Sequence, residues 1–351
     1  VHIGLDYIMW WTKRQDLPAL VTVGRLTDQV PAALGQPHTS VAIGGTEGDQ
    51  NLLFGGRGQL WFDLDCQGNW ALEGSFFALV QKTGSRFITS NGAAGSNVVA
   101  RPFFNVNAGV QDADPIAVPF IAAGSLTIDT PRTLYGGDVN VRSYCCAGLG
   151  NRVGFIFGGR FLAVDEGLRF TEFSQDLPGL GVPGNAYFLT EEFHTQNRFY
   201  GGQVGLDWGY CLGPVFLDVT GKVAFGVTRE KLNNSAYTQI NEPNGTVTAD
   251  TNNALYISRG NAGTFSRSEF AIVPEANVKL GYDFNKWVGV AVGYTFLYAS
   301  AIARPGDQVD QRVNVQPVGA PFVIPPAAAP PAIRSSGFWA QGLDVSLRFS
   351  F

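Results

Sequence analysis

The chain has 351 residues, enough for two ordinary domains or one large β-domain. Only 15% are charged and mean hydropathy is close to zero; no apolar run reaches the roughly 18 residues of a spanning helix, which excludes a helical membrane protein. The net charge of −5 argues against nucleic acid as a partner. The first residue is Val1 rather than Met, which fits an exported chain whose signal peptide has been removed.

Period-two alternation begins at once. In strand 2–11, Ile3, Leu5, Tyr7, Met9 and Trp11 share one face, with Gly4 and Asp6 on the other. The Trp10-Trp11 pair reads as an interfacial girdle. Segment 12–50, rich in Gly, Pro and Thr, is expected to be a loop. Strand 51–66 sets Leu60, Phe62 and Leu64 against Arg57, Gln59, Asp63 and Asp65, and turns tightly at Gln67-Gly68-Asn69. Strand 70–81 sets Trp70, Leu72, Phe76 and Val80 against Glu73, Ser75 and Gln81. A second long loop is expected over 82–120. Strand 121–146 sets Tyr135, Val139 and Val141 against Asp138, Asn140 and Arg142, with a break or bend expected at Pro131.

After a short turn, strand 152–166 sets Val153, Phe155, Phe157 and Phe161 against Arg152 and Arg160. A loop is expected over 170–187. Strand 188–211 sets Val204, Leu206, Trp208 and Tyr210 against Gln203 and Asp207, and Leu212-Gly213-Pro214 turns the chain. Strand 215–230 sets Leu217, Val219, Val223, Phe225 and Val227 against Asp218, Thr220 and Lys222. A polar loop is expected over 231–263. Strand 264–284 sets Ile272, Val278, Leu280, Tyr282 and Phe284 against Glu275, Asn277, Lys279 and Asp283. Strand 287–302 sets Val288, Val290, Val292, Tyr294, Phe296 and Tyr298 against Gly289, Ala291, Gly293 and Thr295. The last loop, 303–336, holds a Pro/Ala-rich stretch from Pro317 to Pro331 that reads as extended.

The final strand, 337–351, alternates strictly from Leu343: Leu343, Val345, Leu347, Phe349 and Phe351 against Asp344, Ser346, Arg348 and Ser350. Taken alone it also fits the last strand of a soluble β-sandwich. Such a strand leaves an apolar face and an open edge; a closed transmembrane barrel gives the face to lipid and the edge to the first strand. Turn lengths favour the barrel. Short turns near 67, 148, 213 and 285 alternate with long segments 12–50, 82–120, 170–187, 231–263 and 303–336. The expectation is one all-β domain: an antiparallel transmembrane barrel of about ten strands (twelve if 38–44 or parts of 97–130 add a hairpin). Short turns would be periplasmic and long loops extracellular.

The polar faces then line the lumen: Asp6, Arg57, Gln59, Asp63, Glu73, Asp138, Asn140, Arg142, Arg160, Gln203, Asp207, Asp218, Lys222, Glu275, Asn277, Lys279, Asp283, Asp344 and Arg348. Both signs are interspersed, and a ten-stranded lumen is narrow. Unpaired charge there is costly, so a network of ion pairs is expected, with a small polar pore as the alternative. Cys66, Cys145, Cys146 and Cys211 fall at the short-turn end, where an oxidising compartment would allow one or two disulfides of unspecified connectivity. No metal-ligand spacing accompanies them. Of His2, His38 and His194, only His194, beside Glu191 and Glu192, falls near the lumen rim where a surface protease would act. Its parity is that of the lipid-facing set, and no nucleophile elbow or zinc motif occurs. Asp307, Asp310 and the Asp112/Asp114 pair match no EF-hand spacing. No catalytic residue, metal or cofactor is expected.

Nine stretches, YIMWWTKRQDLPALVT, LEGSFFAL, ARPFFNV, FYGGQVGLD, GKVAFGVT, LGYDF, VGYTFLY, RPGDQVD and FWAQGLDVSLRF, keep their order along the whole chain. In these the sequence resembles the planctomycete putative beta-barrel porin family that is seventh in its numbered series. The resemblance implies an outer-membrane β-barrel and brings no catalytic or binding residues with it. Its label rests on fold analogy. Leu17-Pro18, Val21-Thr22, Arg101-Pro102-Phe103-Phe104 and Arg304-Pro305-Gly306-Asp307 fall in the long segments, which suggests loops packed over or into the barrel mouth.

The expected function is passive passage of ions or small solutes through a narrow charged lumen. The alternative is a closed structural barrel whose outer loops bind neighbours or form a surface array, and a surface protease is the remote third. Expected partners are outer-membrane lipid, the barrel assembly machinery through the strand ending at Phe351, and further copies of the chain side by side.

Overall fold

A computed structural model describes residues 1–45, 52–65, 69–148, 150–177, 184–314 and 331–351, with backbone alone at 146–148. In chain order the elements are β1 (His2–Thr12), β2 (Leu17–Gly24), β3 (Ser40–Gly45), β4 (Leu52–Asp63), β5 (Trp70–Leu79), β6 (Lys82–Ser90), β7 (Val98–Asn105), β8 (Val110–Ala117) and β9 (Ala122–Gly148). Then follow β10 (Asn151–Asp176), β11 (Ala186–Leu212), β12 (Val215–Asn241), β13 (Val247–Thr251), β14 (Gly263–Asp283), β15 (Val288–Ala303), α1 (Pro305–Gln308), β16 (Arg312–Val313) and β17 (Ser335–Ser350).

Ten of these strands close into an antiparallel ring, β1-β4-β5-β9-β10-β11-β12-β14-β15-β17 and back to β1. The first and last strands pair along their length, from His2↔Ser350 to Thr12↔Ala340, so each covers the other's edge. At this seam Gly342 faces Trp10, and a Cβ there would lie 2.1 Å from the Met9 carbonyl oxygen. Gly213, at φ +60, makes the turn between β11 and β12.

The outward face carries the aliphatic and aromatic residues: Leu5, Tyr7, Phe76, Val139, Phe157, Leu206, Leu280 and Val292 are each more than half exposed. On β10 this face runs from Val153 to Ala163, about 25 Å after allowance for strand tilt. It ends abruptly at an outward ion pair, Arg198 Nη2 to Asp165 Oδ2 at 2.8 Å. A second outward pair, Arg169 to Glu192 at 3.1 Å, lies further along the same strands.

Four expectations need correction. Trp10 is not part of a girdle: it points inward and is wholly buried, while only Trp11 faces out, because adjacent strand residues take opposite faces. Strand β9 is not broken at Pro131. Its ladder with β10 merely lapses between Arg132 and Asp129, where proline has no N–H to give. Segments 170–187 and 231–263 are wall in part, since β10 and β12 run on to Asp176 and Asn241. Residues 82–90 are also wall: β6 continues the line of β5 and pairs with β9 from Lys82↔Arg132 to Ser90↔Gly124.

Of the remaining strands, β13 pairs with the end of β12, and the other five form a separate sheet, β16-β7-β2-β3 with β8 on β7. Leu20, Val21, Val99, Phe103, Ile116 and Ala117 of this sheet share one apolar cluster with Leu126, Ile128, Leu168, Phe170 and Phe193 on the inward face of the long wall strands. The chain's long connections are thus a cap seated against the inner face of the wall beyond the apolar belt. The Pro/Ala-rich stretch and Cys66 lie outside the described residues, except Pro331 at its end.

Candidate functional site: the barrel interior and its cap

The interior is filled in tiers. Every residue expected on the lumen side lies on the inward parity of its strand, and most are buried. Gln59, Asp218, Lys279, Asp283 and Arg348 keep partial exposure toward the short-turn end, and Asp63 is exposed there beside His2.

The lowest tier is Arg348, which donates to both Asp283 carboxylate oxygens at 2.7 Å and lies 3.9 Å above the Phe216 ring. The next tier bonds across the barrel. Lys222 of β12 reaches Asp138 of β9 at 2.5 Å and Glu275 at 3.7 Å. Arg160 of β10 donates to Glu275 of β14. Lys279 of β14 donates to Asp6 of β1 at 2.8 Å. Arg142 of β9 donates to Glu73, and to Asp207 of β11 at 2.9 Å. Lys222–Glu275 and Arg142–Glu73 join adjacent strands; the other pairs join strands that are not neighbours in ring order, so those bonds are chords through the lumen. Asp344 is wholly buried and accepts from Trp10 Nε1 at 2.8 Å, Asn277 at 3.1 Å and Thr295. Gln203 donates to Asn140.

Sequence reasoning missed the tier above. Ile8, Leu53, Phe77, Leu134, Leu162, Val164, Phe199, Leu297 and Phe338 are inward, at most 3% exposed, and form one apolar cluster. Arg57 lies between this layer and the polar one, stacked 5.2 Å from the Trp10 ring and 5.7 Å from Phe77. The signal was present: these residues share parity with Asp6, Glu73 and Arg160, so the inward face changes from polar to apolar along each strand.

Above the apolar layer Glu166 takes two guanidinium groups. Arg132 donates at 2.7 Å, and Arg304 donates twice at 2.8 Å while also binding the carbonyls of Arg14 and Lys13. Burial alone would raise the Glu166 carboxyl, but Arg304 and Arg132 hold it down to about 2. Asn197 ties in the end of β15, exchanging hydrogen bonds with Ala303 at 2.8 and 2.9 Å.

The cap is fastened by Arg101 of β7. It is fully buried, lies 4.6 Å from the Phe170 ring and 4.5 Å from the Tyr256 ring, and donates to Glu191 of β11 and, at 3.5 Å, to Glu172 of β10. Glu191 Oε1 also accepts from the backbone N–H groups of Tyr256 and Ile257 at 2.6 and 2.7 Å. Burial pushes Glu172 up to about 7 despite Arg101, with Asp114 and Glu191 adding to the rise. Asp114 is raised for the same reasons. Burial also lifts the Tyr256 phenol to about 12.

The groups weighed for catalysis are separated. His194 lies on the outward parity of β11, Glu192 is outward and paired with Arg169, and Glu191 is inward on Arg101. His38 pairs instead with buried Asp28 at 2.7 Å. Asp307 accepts from Ser336, Asp310 from the Arg312 N–H and Asp112 from Asn105. Among the described residues, no group of three or more His, Cys, Asp or Glu is placed to hold a metal ion. Cys145 and Cys211 are exposed at the short-turn end.

A family model described as "Putative beta barrel porin-7" matches residues 2–351. No curated protein sequence matches the chain. Among solved structures it is similar to the outer membrane protease OmpT from Escherichia coli, with a TM-score of 0.47 and 8% identity over 100% of this chain and 96% of that one.

Proposed function

From the premise that the chain belongs to the family described as "Putative beta barrel porin-7", we propose that it is an outer-membrane barrel closed to solutes, acting through its capped end. The short turns would face the periplasm and the cap the exterior. The observation that carries this reading is the interior itself: chords of charge between Lys222 and Asp138, Arg160 and Glu275, and Arg142 and Asp207, beneath an apolar layer and a seated sheet. A solute would have to break buried ion pairs and part an apolar layer, each step costing several kcal/mol.

The apolar belt supports embedding in lipid, and its exposed aromatic and aliphatic residues give copies a surface for lateral contact. The cap, rather than mobile loops, is then what neighbouring cells or matrix would meet. The outward position of His194 lends nothing to a protease.

The family's printed description favours a second reading, passive passage. On that reading the cap and the Glu166 anchor must move before anything crosses. Efflux of a small sugar from vesicles carrying the inserted barrel separates the two. Retention equal to protein-free vesicles supports closure, and release within minutes supports passage.

A further inference from the structure

The cluster around Arg101 holds more negative charge than that one cation can neutralise. Arg101 and Asp114 are cross-strand partners on β7 and β8 of the cap. Glu172 and Glu191 belong to the wall strands β10 and β11. Seating the cap therefore gathers three carboxyl groups around one guanidinium, among Phe170, Tyr256 and Ile116.

The three are not equivalent. Glu191 is fully committed as a carboxylate, with one oxygen on Arg101 and the other on two backbone N–H groups. Among the described residues, Glu172 receives only the long 3.5 Å contact from Arg101. The groups facing the cluster are Arg101 from β7, Asp112 and Asp114 from β8, Glu172 from β10, Glu191 from β11, the Tyr256 phenol, and the neutral Gln311 from the chain before β16. Arg169, the nearest arginine along β10, lies on the outward face with Glu192. With all of Asp114, Glu172 and Glu191 ionised, the cluster, in which Glu172 and Glu191 are buried and Asp114 half-buried, would carry uncompensated negative charge, which is costly. One proton on the Asp114/Glu172 pair halves that excess.

We propose that Asp114 and Glu172 together form a proton-binding site that seats the cap, so that the cap is held more firmly in mild acid than at neutral pH. The sign follows from linkage. Both carboxyls are raised in the folded protein, Glu172 to about 7, against about 4.5 once the cap lifts and water reaches them. The seated state then holds one proton more than the lifted state between those values. Seating is complete below about pH 4.5, weakens about tenfold per pH unit up to about 7, and levels off above.

The inference goes beyond closure of the lumen, and its readout reports the cap rather than solute flux. Hydrogen exchange of the intact barrel in lipid nanodiscs, followed at pH 5, 6, 7 and 8, tests it. Rates of the β7 and β8 amides are corrected for intrinsic exchange and referred to the wall amides of 154–162. Opening of the cap strands should rise about 40-fold from pH 5 to 7 and by less than about twofold from 7 to 8. In Glu172→Gln, which keeps the shape but cannot ionise, the profile should stay level within about threefold. A level profile in the unaltered protein overturns the proposal, as does an undiminished slope in Glu172→Gln. Should that variant fail to fold, the unaltered protein's slope still decides, and Asp114→Asn provides the second substitution.

Discussion

Replacing Arg142 by Met asks whether the interior is packed or wet. Arg142 neutralises Glu73 and Asp207, which are 1% and 5% exposed. If the lumen is filled, the substitution strands two carboxylates away from water and costs about 3–5 kcal/mol, as breaking a buried pair does. That is a factor of about 10² to 10³ or more in the unfolding equilibrium. If the lumen were an aqueous channel, water and salt would screen the pair and the cost would fall below about 1 kcal/mol. Replacing all three residues with apolar ones of similar volume should recover most of the loss, because the charges are not required once none is left alone. Urea-induced unfolding from lipid vesicles, followed by tryptophan fluorescence, measures all three proteins. A cost under about 1 kcal/mol for Arg142→Met would refute the packed interior.

Phe338→Ala removes a wholly buried ring from the apolar layer and should cost about 3–5 kcal/mol in the same assay. Val204→Lys, on the outward face of β11, should cost about 2–4 kcal/mol if that face meets the lipid midplane, read as loss of refolding into vesicles. The Glu166 anchor should fail in acid. Its carboxyl is depressed to about 2 when folded, so its contribution, about 3 kcal/mol, is complete above about pH 4.5 and is lost as the pH falls toward 2. Protease nicking of the Arg304 segment should therefore rise over that range, and Glu166→Gln should nick readily at every pH. An acid-insensitive nicking rate would remove the anchor from the account.

The wall strands were legible because lipid and a polar interior impose opposite demands on alternate residues. Strand 2–11, strand 70–81 and the final strand show it plainly. Reading failed where those demands change. In the run Phe161-Leu-Ala-Val-Asp-Glu-Gly-Leu-Arg-Phe170, apolar residues lie outward up to Phe161, then inward at Leu162, Val164, Leu168 and Phe170, with Asp165 and Arg169 outside. The strand leaves lipid for water on one side and gains the cap on the other, so its hydrophobic phase inverts without any break in the backbone. A rule that places every apolar residue outward ends the strand too early there, and likewise on β12. The ion pairs were foreseeable as a class, since both signs sit on one face, but their partners were not. Lys222 and Asp138 meet only because closure brings β12 opposite β9. The Arg101 cluster depends on a sheet assembled from three separate connections, and no local spacing encodes it.

Single-channel recording in a planar bilayer tests the central claim most directly, with insertion verified by protection of the wall strands from protease. The account predicts a silent membrane for the unaltered protein in molar salt. Steady current steps that scale with salt concentration would contradict it and return the barrel to the class of open pores.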